Sequence, residues 1–151
     1  MLKCASCGYM GAFDGKICPR CREPLVFGED EARAMMDEAH LLMKRREYAD
    51  ALEIYRALSG LEVTDAQREY AIILERGDIV ARDLDGAERL FLRAATKNDP
   101  LSAYRYSRLA SRVSDEASSF WLRYSAVLGC ETAYPELARA LSEDGREELA
   151  T

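Results

Sequence analysis

The chain has 151 residues, of which 48% are apolar and 32% charged, with a formal net charge of −6. That is enough for one ordinary domain with a small appendage, and the balance excludes extensive disorder. Nine glycines and four prolines are too few for a turn-rich sandwich or barrel. No apolar run approaches the roughly 20 residues that span a bilayer. The opening Met1-Leu2-Lys3-Cys4 carries no signal-peptide core, so the expectation is a cytoplasmic protein with reduced thiols and no membrane partner.

The first element is a cysteine module. Cys4-Ala5-Ser6-Cys7 and Cys18-Pro19-Arg20-Cys21 are two C-x2-C pairs. Each can form one tight knuckle, and together they present four sulfurs to one ion, a tetrahedral S4 set. A segment of about 28 residues cannot fold on buried apolar surface alone, so bound metal would supply its folding free energy. Gly8 allows the positive φ that turns backbone N–H groups toward sulfur, and Pro19 fixes φ inside the second knuckle. Leu2, Tyr9, Phe13, Ile17 and Leu25 are the residues available to cover the site.

Other uses of these cysteines are weaker. The absence of a leader speaks against two disulfides, no βαβ context supports redox catalysis, and haem attachment would need histidine where Gly8 and Arg22 stand. Iron fits the same sulfurs and stays open, because the knuckles are also similar to those of rubredoxin. The pattern C-x2-C-G followed by C-P-x-C resembles the short zinc-ribbon at the N-termini of many bacterial proteins, with Arg22 in place of the second glycine and Leu25 at its expected position. The resemblance implies a closed, structural Zn2+ site with no open coordination position.

We place a boundary near Phe27-Gly28, giving a ribbon at 1–28 and a second domain at 29–151. The first part has a formal charge of +2 and the second −8. Four thiolates and a divalent ion cancel the basicity of the first part. Phosphate-backbone binding needs a surplus of positive charge, which argues against a nucleic-acid partner. Binding through Lys3, Lys16, Arg20 and Arg22 is kept as the alternative, as is electron transfer at an iron S4 site.

From Glu29 onward, apolar residues recur at helical spacing between polar breaks at Ser59-Gly60, Gly77-Asp78, Lys97 to Pro100, Val113 to Asp115 and Gly129. Seven helices are predicted, at 29–46, 48–58, 65–76, 84–97, 100–112, 115–128 and 132–143. Thr64 to Gln67 reads as a capping box, Asp99-Pro100 as N-cap and N1, and Ser114 as an N-cap before two acids.

The helices repeat. Ala51-x-x-Ile54-Tyr55, Ala87-x-x-Leu90-Phe91 and Ala117-x-x-Phe120-Trp121 superpose. So do Tyr70-Ala71-x-x-Leu74, Tyr106-Ser107-x-x-Ala110 and Leu137-Ala138-x-x-Leu141. Two interleaved patterns of common period mean a repeated helix pair, with a small residue at each close approach. Residues 66–98 resemble a Sel1-like repeat, a relative of the tetratricopeptide repeat (TPR), through Tyr70-Ala71, Leu74, Gly77, Val80, Asp83, Ala87, Phe91 and Ala94-Ala95. Residues 100–129 resemble a shortened copy, and 35–58 an ordinary tetratricopeptide repeat. The fold class expected is mainly α: a helical-repeat α-solenoid of about seven helices with a small N-terminal zinc-ribbon. The resemblance implies a non-enzymatic adaptor that binds a protein or peptide.

Single residues add little chemistry. His40 is the sole histidine, with no nucleophile context. Cys130 reads as a small buried hydrophobe, Trp121 as core, and Lys44-Arg45-Arg46 as a solvated helix end. With no paired carboxylates, P-loop, Ser/His/Asp or dinucleotide signature, the chain is not expected to be an enzyme. Geometry alone nominates Arg68, Glu69, Ile72, Glu75, Arg76, Tyr104, Arg105, Arg108 and Ser111 as a partner-binding face. The final predicted helix should act as a cap, packing through Leu137, Ala138 and Leu141. Glu136, Arg139, Glu143 and Asp144 would then form a polar outer face, and Tyr134 and Leu149 a docking end for a homodimer.

Overall fold

The computed structural model describes residues 2–4, 6–11, 17–23, 29–112 and 114–150. A two-stranded antiparallel hairpin, β1 (Leu2–Lys3) and β2 (Met10–Gly11), pairs Leu2 with Gly11 and Lys3 with Met10. The helices are α1 (Glu29–Lys44), α2 (Tyr48–Gly60), α3 (Thr64–Arg76), α4 (Leu84–Thr96), α5 (Pro100–Ala110), α6 (Asp115–Val127) and α7 (Tyr134–Ala150). A 3-10 turn at Glu131–Ala133 precedes the last. This is the helical-repeat fold expected from the sequence. The chain forms two compact units, Met1–Arg82 and Asp83–Thr151. The boundary expected at Phe27-Gly28 lies outside the described residues.

In the first unit, Ala39 of α1, Ala51, Ile54, Tyr55 and Leu58 of α2, and Ala66 and Ile73 of α3 form one buried core. Ala51 is fully buried, which lets the helices approach closely, and Tyr55 fills the space beside it. Burial, and secondarily the Glu69 carboxylate, pushes the Tyr55 phenol up to about 12. After α3, Gly77 takes φ +70°, where a Cβ would lie 2.7 Å from the Cβ of Arg82. Arg82 Nε in turn donates to the Glu75 carbonyl at 3.0 Å. Ile79 and Val80 of this loop pack against the core, which anchors the loop through apolar contacts.

In the second unit, Ala87, Phe91, Ala94 and Ala95 of α4 and Ala103, Ser107 and Ala110 of α5 are buried. The Ser107 hydroxyl is spent on the Tyr104 carbonyl at 2.6 Å, so it packs as a small residue. Three N-caps set the helix starts: Asp83 accepts from the Gly86 N–H, Asp99 from Ser102, and Ser114 from Ala117.

Helix ends repeat as regularly as the packing positions. The N–H groups of Glu47, Val63, Asp99 and Cys130 each reach back five residues to a helix carbonyl. The residue before each, Arg46, Glu62, Asn98 and Gly129, has positive φ. These are left-handed C-terminal turns of Schellman type. Three of the four use a residue other than glycine. The break at Ser59-Gly60 therefore moves: α2 runs through Gly60, and Glu62 makes the turn.

Other expectations need correction. Thr64 makes no cap hydrogen bond, because α3 begins on it after Val63. Gln67, the other half of the expected capping box, is fully buried and donates to the Ser59 carbonyl and to Glu62. At the last helix, α7 continues through Gly145 to Ala150. Leu141 is 52% exposed, Ala138 is exposed and Leu137 only half-buried, so this trio does not form the expected packing face. The closure comes from Cys130 and Ala133, buried with Tyr104 against Leu101, Leu122 and Ala126. The outward acid expected at Glu136 instead accepts a hydrogen bond from the Tyr104 hydroxyl at 2.5 Å.

Candidate metal centre and partner groove

The two cysteine knuckles are copies of one another. Gly8 N–H donates to the Cys4 carbonyl and Arg22 N–H to the Cys18 carbonyl, both at 2.9 Å. Cys4 N–H donates to Tyr9 and Cys18 N–H to Glu23. Gly8 has φ +72° and Arg22 φ +60°, so the second knuckle keeps the turn that its missing glycine would have eased.

The four sulfurs lie within 4.8 Å of one another, with Cys4 Sγ 3.6 Å from Cys21 Sγ and Cys7 Sγ 3.7 Å from Cys18 Sγ. An ion bonded to four sulfurs at about 2.3 Å sets tetrahedral edges of about 3.8 Å. The cluster therefore fits a metal ion, and all four cysteines are free thiols. Backbone N–H groups, Cys7 first, pull the Cys4 thiol down to about 7 despite its desolvation. Cys21 moves the other way, to about 12: the Glu23 N–H favours its thiolate, but desolvation and the surrounding sulfurs outweigh it. One thiolate is stabilised and further ionisation is opposed, an imbalance that a cation at the centre removes.

Cys4 and Cys18 are buried together with Ala57 of α2, and Tyr9, Met35 and Leu61 pack against them. Tyr9 thus covers the site as expected, whereas Ile17 is 58% exposed. Phe13, Lys16 and Leu25, and the side chains of Leu2 and Lys3, lie outside the described residues.

The nominated partner face falls in both units. In the first, Arg68, Glu69, Ile72 and Glu75 are half-buried and Arg76 exposed. Arg68 is paired with Asp65 at 3.3 Å and Glu69 at 3.7 Å, and Arg76 with Asp78 at 3.0 Å. In the second, Arg105 is half-buried, and Arg108 and Ser111 are exposed. Tyr104 is only 8% exposed. Its ring lies in the core with the Arg108 guanidinium 5.9 Å from its centroid, so it serves packing.

Sequence reasoning missed an open groove of about 640 Å³ in the first unit. Arg33, Met36, Asp37 and His40 of α1 form one wall, and Leu61 to Asp65 with Arg68 form the other. The signal was present: Arg33, Asp37 and His40 recur at helical spacing beside the buried Met36. His40 is exposed, its ring centroid 6.1 Å from that of Tyr55. Cys130 is buried, as expected, with Sγ 3.0 Å from the Thr132 hydroxyl. Trp121 is half-buried, edge-on to Tyr106, Phe120 and Tyr124. Tyr134 is 48% exposed, and the side chains of Asp144 and Leu149 lie outside the described residues. Among the described residues no helix is long and apolar enough to cross a membrane.

A Sel1 repeat protein from Oxalobacter formigenes has a similar solved structure, with a TM-score of 0.62 and 18% identity over 74% of this chain. The match spans 50% of that protein's chain. At that identity the likeness concerns the fold. No protein-family model matches the sequence, and no curated protein does.

Proposed function

We propose that this chain is a non-enzymatic cytoplasmic adaptor that binds a protein or peptide on its repeat surface, with a structural zinc-ribbon at one end. The observation that carries the reading is the groove between α1 and the α2–α3 turn. It combines an apolar floor at Met36, Leu61 and Val63 with both signs of charge at Arg33, Asp37, Asp65 and Arg68. Apolar anchors with flanking charges of both signs suit a peptide segment better than a phosphate backbone. The remaining nominated residues are separate candidates in each unit: Glu69, Ile72, Glu75 and Arg76 on α3 in the first, and Arg105, Arg108 and Ser111 on or just after α5 in the second.

The ribbon, residues 1–28, and the repeat domain, residues 29–151, differ in what folds them. Metal does so in the first and apolar burial in the second. Zn2+ suits four closed thiolates, and it would hold the two knuckles together without an open position for chemistry.

The test is affinity capture from the native cell with wild-type protein and an Arg33→Glu/Arg68→Glu variant, with metal content measured on the purified chain. The expected result is one equivalent of zinc and a protein partner lost from the groove variant only. Retention on heparin, with binding to RNA or DNA that falls steeply with salt, would replace this reading with the nucleic-acid one. A red, iron-containing protein would replace it with electron transfer.

A further inference from the structure

One face of α6 is apolar and uncovered. Phe120, Tyr124 and Val127 are spaced four and three residues apart, with Phe120 59% and Val127 83% exposed. The Phe120 and Tyr124 rings are stacked, 6.1 Å apart and 7° from parallel. With Asp115, Glu116, Ser119 and Arg123 they line an open groove of about 650 Å³.

The repeat register makes this exposure unusual. Phe120 occupies the position held by Ile54 in α2 and Leu90 in α4. Ile54 is 5% exposed and Leu90 is half-buried. A position built to be covered therefore stands open in the last helix pair, and it carries a large aromatic ring.

The charges flanking the face identify what covers it. Glu116 and Arg123 are seven residues apart, two helical turns, and so lie along the same side of α6. Neither forms a salt bridge to another described residue. If a second α6 is laid antiparallel across the first, about a two-fold axis near Ser119-Phe120, each Arg123 meets the other copy's Glu116. The same operation brings the two Phe120 rings together at the axis. Such a self-complementary arrangement is what an isologous dimer requires. We propose that the α6 face is a homodimer interface, closed by Phe120 at its centre and by two reciprocal Glu116–Arg123 pairs. This surface is separate from the α1–α3 groove, so the proposal does not depend on the partner reading.

Sedimentation and light scattering over a concentration series test it. Wild-type protein should double its mass from 17.0 kDa as concentration rises to about 100 µM, a concentration at which even a weak specific contact is populated. Glu116→Arg and Arg123→Glu should each be monomeric over the same range, because each places like charges together at both ends of the interface. Their equimolar mixture should dimerise, since both pairs are then restored. All of these are exposed positions, and circular dichroism checks that each variant is folded. Phe120→Glu should also be monomeric. A wild-type monomer throughout, single charge variants that dimerise as wild type does, or a mixture that stays monomeric would each overturn the proposal.

Discussion

The two compact units face the same physical problem and close themselves with different chemistry. A helix pair buries one face against its neighbour and leaves an apolar surface at the end. In the first unit that surface, around Ala57, Met35 and Leu61, is covered by the sulfur cluster. In the second, the cover is a 3-10 turn whose Ala133 is fully buried beside Cys130, and the start of α7 behind it is joined to α5 by the Tyr104–Glu136 hydrogen bond. On the proposed reading a metal ion holds the first lid together, so a chelator should loosen it. The second is held by apolar burial and a hydrogen bond, which a chelator leaves untouched. The lesson is that a repeat's end is a separate design element, and its chemistry decides how that end fails.

The largest expected effect uses that asymmetry. Removing the metal, or replacing Cys18 with Ser, should unfold the ribbon, because small zinc modules draw ~10–16 kcal/mol of folding free energy from the ion. The ribbon covers Ala57 and Leu61, so α1–α3 should lose a further ~2–4 kcal/mol as that surface is exposed. Hydrogen exchange should show lost protection in α2 and none lost in α4–α6. Full protection retained in α2 would mean that the ribbon is an independent appendage and the comparison of lids is empty.

A second prediction compares equivalent positions. Ala87 is fully buried, whereas Ala117 is only half-buried. Sequence self-comparison places the two in the same register and predicts the same cost for either alanine. The structure separates them: Ala87→Leu should cost roughly 1–3 kcal/mol through overpacking, and Ala117→Leu less than about 1 kcal/mol, near the range of ordinary surface changes. Chemical denaturation of both variants measures the difference. Equal losses would show α6 to be packed as tightly as α4.

That difference also marks how far the sequence could be read. Helix count, the clustering of the four cysteines and the small-residue positions at Ala51, Ala71, Ala87 and Ser107 were legible because each follows from local spacing. Ala51, Ala71 and Ala87 are all fully buried as the register requires. What was illegible depended on what lies opposite. Nothing in the local pattern of Leu137 to Leu141 says that the preceding turn, not this helix, would supply the closure. Arg46, Glu62 and Asn98 adopt positive φ without the glycine that would have announced it, and the five-residue back-bond of the next residue closes each turn. The groove at the site has the same cause: Leu61 to Asp65 face α1 only once the turn at Glu62 is formed.

A third prediction concerns the N-caps of the second unit. Asp99 is 8% exposed and accepts from both the backbone and the hydroxyl of Ser102. Asp83 is exposed and accepts from Gly86 N–H alone, at 2.9 Å. Asp99→Ala should therefore cost ~1–2 kcal/mol and Asp83→Ala about 0.5–1 kcal/mol. Reversal of that order would show that the buried Asp99–Ser102 pair spends its hydrogen bonds merely offsetting its own desolvation.

The smallest effect appears only in alkali. An unfolded tyrosine ionises near 10.0, whereas Tyr55, desolvated in the core and facing the Glu69 carboxylate, does so at about 12. Between those values the unfolded chain has released a proton that the folded chain keeps, so stability is intact below pH 10 and falls as pH rises toward 12. Tyr104 and Tyr106 of the second unit are raised in the same direction, each mainly by burial, and both units should weaken together. Tyr55→Phe removes the linkage from the first unit alone. Thermal melts at about pH 9 and about pH 11, with hydrogen exchange assigning the loss, should show a shallower fall for α2 in the variant and no change for α5. An equal fall in both would mean that alkaline unfolding starts elsewhere in the first unit, with thiol ionisation in the ribbon as the remaining source, and metal-saturated protein would then be protected where metal-free protein is not.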